Sequence, residues 1–211
     1  MSHAFATSSP LHAAGHTRAQ LRQALKHTRE RLEHRTQRES ALAEALGREL
    51  RELSARCIGA YCASRGEFDA LRALVDIAGE RGWPWKVALP VVQPSSRGMR
   101  FHAWRPGQAL RSGAYGIAEP EPDEPAVEPD LLLVPCLGFG PDGLRLGYGG
   151  GYYDRYLEHR AAVRTIGLAF EACRVEGLRA EAHDRPLDVI LTESARYARC
   201  ARGDRGGATT P

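Results

Sequence analysis

No stretch of the chain approaches the ~20 consecutive apolar residues that a membrane-spanning helix requires. The opening residues, MSHAFATSSPLHAAGH, have neither a basic start nor an unbroken apolar run, so they do not read as a secretory signal. The five cysteines (Cys57, Cys62, Cys136, Cys173 and Cys200) contain no C-x-x-C pair and no Cys/His ligand spacing, and their number is odd. A disulfide framework and a structural zinc site are thereby excluded, and a reducing, cytoplasmic setting is predicted. A dominant charge is also missing. The 29 Lys and Arg stand against 26 Asp and Glu, and a net +3 is too small to argue for nucleic acid. There is no internal repeat.

What remains is an ordinary globular composition, 43% hydrophobic and 26% charged over 211 residues. That length predicts one domain able to bury roughly 70% of its unfolded surface without staples. Residues 1–16 and the Gly-rich tail of residues 201–211 are predicted to be frayed ends around a domain spanning residues 17–200. The segment Thr17 to Arg56 holds ten basic and six acidic residues, which reads as helix faces laced with opposite charges. Most of its arginines are expected in solvent, with one or two meeting an anion.

Within that segment Leu21, Leu25 and Leu32, then Leu42, Leu46, Leu50 and Leu53, recur at helical intervals and predict two amphipathic helices. Strand-like runs follow at Cys57 to Cys62, Trp85 to Val92, Leu131 to Leu137, Thr165 to Phe170 and Leu187 to Thr192, with an edge strand at Met99 to Trp104. Helices are predicted from Phe68 to Gly79 and from Tyr152 to Val163. This alternation predicts a single-domain α/β three-layer fold, with a mostly parallel central sheet and N-terminal helices. The segment Glu119 to Asp130, with four prolines and six acids, is expected as an exposed loop.

One stretch carries more than packing. GFGPDGLRLGYGGGYYDRYL, from Gly138 to Leu157, runs from a buried strand into a helix. Glycines at such a turn permit positive φ and expose N–H groups at the positive end of a helix dipole, where phosphate binds. No Lys-Ser/Thr follows, so this is not a Walker loop, and the spacing is not the dinucleotide fingerprint. As a turn alone it is as compatible with a plain tight turn as with an anion site. Arg145 beside it can fork onto phosphate oxygens and is expected to avoid burial. Asp154 just inside the helix can share a Mg²⁺ with phosphate, or serve as an ordinary dipole partner.

RLGYGGGYYDRYL resembles the signature of the 5-formyltetrahydrofolate cyclo-ligase family, also called methenyltetrahydrofolate synthetases. Further matches fall in the family's order from Arg18 to Glu193: RAQLR, AYCASRGEFDAL, ALPVV, MRFHAW, GAYGIAEP and HDRPLDVILTE. The resemblance implies ATP- and Mg²⁺-dependent conversion of 5-formyltetrahydrofolate to 5,10-methenyltetrahydrofolate with release of ADP and phosphate, by a monomer without membrane or nucleic-acid partners. It assigns ATP to Arg18, Arg22, Arg145 and the turn Leu146, Gly147, Tyr148, Gly149, Gly150, Gly151, Tyr152 and Tyr153. Folate falls to Cys62, Glu67, Tyr115, Tyr148, Gly149, Gly150, Gly151 and Tyr152, and Mg²⁺ to Asp154 and Asp184. Three positions depart from the family pattern: Gly140 replaces an Asp, Gly150 a Lys, and Ala118 a Pro. The first two are expected to remove charge near the phosphates. A non-catalytic nucleotide- or folate-binding paralogue is the alternative, and RNA binding through the basic helices has only charge behind it.

Overall fold

The computed structural model describes residues 10–79, 85–121 and 125–199. The expectations for residues 1–9, for the tail beyond residue 200 and for Cys200 lie outside the described residues.

Helix α1 (Arg18–Glu30) begins at Thr17, whose hydroxyl accepts from the Gln20 N–H while the Gln20 side chain accepts from the Thr17 N–H. Leu21 and Leu25 form its buried stripe. His34, with φ at +53°, turns the chain into α2 (Arg35–Arg51). The remaining principal elements are β1 (Cys57–Gly59), α3 (Ala70–Gly79), β2 (Lys86–Gln93), β3 (Gly98–Trp104), β4 (Ala126–Val127), β5 (Leu131–Pro135), α4 (Tyr152–Leu157), β6 (Arg164–Leu168), β7 (Val189–Leu191) and β8 (Arg196–Ala198).

The eight strands form one sheet in the order β8-β7-β6-β5-β1-β2-β3-β4. From β7 to β2 every pairing is parallel. Both margins are antiparallel: β8 on β7, and β3 and β4 beyond β2. β5 shows why its sequence, LLLVP, is apolar without alternation. Leu131 and Leu133 pack with residues of α1, α2 and α3, whereas Leu132 and Val134 pack with Tyr156 and Leu157 of α4. Both faces are covered, giving the three-layer α/β arrangement.

The structure corrects several local expectations. The helix beginning at Tyr152 ends at Leu157 instead of Val163, because tight turns from Leu157 to Arg160 and from Arg160 to Val163 redirect the chain into β6. Arg160 anchors that redirection, 4.1 Å over the Tyr156 ring and paired with Glu128. β3 is not an edge strand: Ala126 and Val127, a proline-free pair within the acidic segment, hydrogen-bond along it. The N-terminal fraying does not extend to His16, since Leu11–His12 pairs in parallel with Val175–Glu176. Nor do all helical arginines face solvent. Arg29 and Arg38 are buried, and Arg38 pairs with Glu193 just beyond β7.

Two short hairpins sit above the sheet. Gly138–Phe139 pairs with Arg145–Leu146, and Leu110–Ser112 with Ala118–Pro120.

Close approach at the end of β1 requires a glycine: a Cβ on Gly59 would lie 2.4 Å from Leu132 Cδ2 and 2.9 Å from the Phe101 ring. Gly59→Ala is therefore expected to lower stability by about 1–3 kcal/mol, read from the urea midpoint of unfolding.

Candidate active site

After β1 the chain passes through α3 to β2 on one side, whereas after β5 it passes through α4 to β6 on the other. β1 and β5 are nevertheless hydrogen-bonded neighbours. Such a reversal leaves a crevice beyond the carboxyl ends of the two strands, the usual ligand position in open α/β sheets. A cavity of about 360 Å³ lies there, lined by Tyr61, Cys62 and Glu67 after β1, by Pro135 at the end of β5, and by the Gly147 to Asp154 turn. Arg18 and Arg22 of α1 close one side, and Tyr115 and Glu119 the other.

The cationic side is held in place by its own counter-charges. Arg18 forks onto both oxygens of Asp184 and bonds Glu181 at 3.0 Å. Arg22 donates from Nε to the Gly147 carbonyl at 2.8 Å, which lays its guanidinium beside Gly149. Arg145 is buried, contrary to the expectation that burial would exclude it; Asp154 Oδ1 accepts from both its terminal nitrogens at 3.0–3.2 Å, and the guanidinium lies 5.7 Å from the Tyr153 ring centre. Burial of an arginine is tolerated when a carboxylate compensates it. Gly149 and Gly151, at φ +97° and +66°, give the turn the left-handed conformations that other residues resist.

The other polar group gathers around Tyr148. Its hydroxyl accepts from the fully buried Arg29 and faces the Glu67 carboxylate. Glu67 Oε2 accepts from the Ser64 N–H at 2.9 Å and from the Ser64 hydroxyl at 3.2 Å. Burial raises the Glu67 carboxyl above its ordinary value, opposed by the Ser64 bonds and Arg29. For Asp184, burial pushes upward but is outweighed by the Arg18 bond, the Glu181 N–H and nearby charge, so the carboxyl is held low. Burial pushes the Cys62 thiol up to about 11, the opposite of an activated nucleophile.

A sequence profile of the 5-formyltetrahydrofolate cyclo-ligase family matches residues 14–193. The chain belongs to the 5-formyltetrahydrofolate cyclo-ligase family. It is 34% identical over 149 residues to the 5-formyltetrahydrofolate cyclo-ligase of Escherichia coli K12, covering 66% of this chain and 79% of that one. With the Mycolicibacterium smegmatis cyclo-ligase it shares 33% over 150 residues, 67% and 75% of the two chains. The NMR structure of Aquifex aeolicus 5,10-methenyltetrahydrofolate synthetase superposes with a TM-score of 0.70 at 28% identity, covering 91% of this chain and 98% of that one. A Mycoplasma pneumoniae 5,10-methenyltetrahydrofolate synthetase superposes at 0.68 with 21% identity, covering 84% and 99%, a likeness of fold.

The residues that the cyclo-ligase resemblance assigns converge, with one exception. Arg18, Arg22, Cys62, Glu67, Tyr115, Arg145, Gly147, Tyr148, Gly149, Gly150, Gly151, Tyr152, Tyr153, Asp154 and Asp184 all line the one cavity. Leu146 does not: it is fully buried, and its carbonyl accepts from the Leu137 N–H, so its role is to hold the hairpin under the site. Gly140 is not among the residues that line the cavity, and a Cβ there would sit 2.8 Å from Leu178 Cβ, a close approach that calls for glycine. Tyr152 bonds the Tyr115 hydroxyl at 2.8 Å, the two rings edge to face, whereas the Tyr153 hydroxyl is buried with no partner among the described residues. Met99, Val92, Ile117 and Glu119 complete the wall, and periodicity marked Met99 and Val92 only as strand residues. Arg29 was hidden among solvated arginines, and only its burial singles it out.

Folded Glu67 retains a proton that the unfolded chain releases, so stability should fall as pH rises through the interval between its ordinary and raised values; Glu67→Gln should remove that slope from a series of Tm measurements against pH. Tyr153→Phe removes an unsatisfied buried hydroxyl, and the ligand-free variant should be as stable as the parent or more so by up to about 1 kcal/mol in denaturant titration.

Proposed function

We propose that the chain converts 5-formyltetrahydrofolate to 5,10-methenyltetrahydrofolate, using ATP and Mg²⁺ and releasing ADP and phosphate. The observation that carries this reading is the single cavity that joins a cationic, glycine-lined side to an apolar and aromatic side, with carboxylates on both. A phosphate donor on the first side and a flat heterocycle on the second would meet there, as a reaction between the two requires.

An N-formyl oxygen is a poor leaving group on a resonance-stabilised carbon. Transfer of the γ-phosphoryl group to that oxygen makes the carbon electrophilic; the neighbouring folate nitrogen then closes the ring, losing its proton as phosphate departs. The protein supplies position and compensating charge and needs no nucleophile of its own. Arg18, Arg22 and Arg145 balance the phosphates, and the turn from Gly147 to Gly151 approaches them with backbone alone. Tyr148, held by Arg29, and Glu67 bind the pterin; Tyr115 and Tyr152 cover it, and Cys62 packs against it.

Of the two carboxylates, Asp154 offers a free donor to a hard divalent cation: its hydrogen bonds from described residues all fall on Oδ1, leaving Oδ2, whereas both oxygens of Asp184 are engaged by Arg18, which would have to yield one for Asp184 to share the ion. Bound there with the triphosphate, Mg²⁺ would neutralise charge and orient the γ-phosphoryl group. The described cysteines are free, which supports a cytoplasmic setting, and no described helix is long and apolar enough to cross a membrane.

The decisive experiment is near-ultraviolet absorbance of the protein with 5-formyltetrahydrofolate, ATP and Mg²⁺. A rise that requires all four components is expected from the extended conjugation of the methenyl product. A flat trace from folded protein that binds its ligands would replace the enzyme with a binding paralogue. Arg22 makes a single hydrogen bond to the described residues. Arg22→Gln should therefore keep the fold and raise the KM for ATP about tenfold, the weight of one charged hydrogen bond.

A further inference from the structure

Glu119 has no role in the proposed reaction, yet its surroundings are built around its carboxylate. It is 5% exposed and stands directly across the small hairpin from Arg111, which donates to Oε1. Oε2 receives no hydrogen bond from any described residue, although the side chain lines the cavity. Gly113 makes the room: a Cβ there would fall 2.2 Å from Oε2. Its φ of −97° is open to any residue, so close approach, and not backbone conformation, is what calls for glycine.

The compartment around it is apolar. β2, β3 and the hairpin contribute Pro90, Val92, Met99, Tyr115 and Ile117 to the cavity wall, and Glu119 is the one charged side chain among their lining residues. An oxygen that faces this compartment has no protein donor among the described residues, and a ligand N–H entering there supplies one. The arginines of the triphosphate side lie on α1 and the glycine turn, across the cavity, so the heterocycle and not the phosphates meets this oxygen.

We infer that Glu119 is a specificity-determining residue, its free Oε2 accepting an N–H of the reduced pteridine ring of the folate substrate. This rests on the cyclo-ligase reading and adds a second anchor to it. A tetrahydropteridine carries N–H donors at its 2-amino group, N3 and N8, enough for both Glu67 and Glu119. Adenine is a poorer match. Its amino group lies beside the N1 lone pair, which would face the carboxylate.

The test measures binding of 5-formyltetrahydrofolate and of ATP separately to the full chain, by calorimetry. Glu119→Gln should weaken folate at least tenfold, leave ATP within twofold and leave Tm near that of the parent. Gly113→Ala reaches the same oxygen without altering its charge, by displacing the side chain, and should show the same selective loss even if the first variant folds poorly. Folate affinity unchanged in a folded variant, or equal weakening of both ligands, overturns the assignment. Loss of ATP alone overturns it in favour of adenine. Failure of the unsubstituted protein to bind folate overturns the cyclo-ligase reading itself and the assignment with it.

Discussion

Two adjacent parallel strands, β1 and β5, send their following segments to opposite sides of the sheet, and the rest of the site depends on that reversal. Backbone hydrogen bonds hold the strands together, while the crossovers through α3 and α4 draw the chain apart above them. Neither crossover can fill the gap, because each must return to its own side to form the next parallel strand. The crevice is then a consequence of strand order, and the functional groups reach it from the strand ends, the first helix, two hairpins, the glycine turn with the start of α4, and the loop that carries Asp184. The short hairpins are not ornaments on this plan: one brings Arg145 in from below the glycine turn, and the other carries Glu119 over the opposite side.

Charge inside the site is arranged so that few ions are left alone. Arg145 has Asp154, Arg18 has Asp184, and Arg29 has the Tyr148 hydroxyl and the Arg65 carbonyl. These pairs hold rotamers that would otherwise be free, so the long side chains of the site are preorganised before any ligand enters. Among the described residues that line the cavity, the Tyr153 hydroxyl and one oxygen of Glu119 lack a protein partner and have capacity for a ligand.

Much of the fold was legible from local pattern. The runs around Ile58, Leu132 and Ile166 read as buried strands because a sheet covered on both faces needs apolar residues at every position, and Leu21, Leu25, Leu42 and Leu46 read as helical stripes because their spacing matches the turn of a helix. The glycine turn was legible because no packing role accounts for four glycines and an arginine within ten residues. Tyr152 to Val163 misled because its composition is helical throughout, whereas the need to enter β6 alongside β5 ends the helix after Leu157. The solvated-face reading failed for Arg29 and Arg38 because helical periodicity records which face a residue occupies, not what packs upon it.

The sequence by itself determined the alternation of strands and helices, the turn from Gly147 to Gly151 and the family to which these belong. Those features are local: periodicity and the φ values open to glycine act over a few neighbouring residues. Only the tertiary structure decided that Arg145 is buried against Asp154, that Arg18 meets a carboxylate 166 residues away, and that Gly113 clears space for Glu119. Each depends on which segments the sheet order brings together at one edge, and on how much water is excluded when they meet.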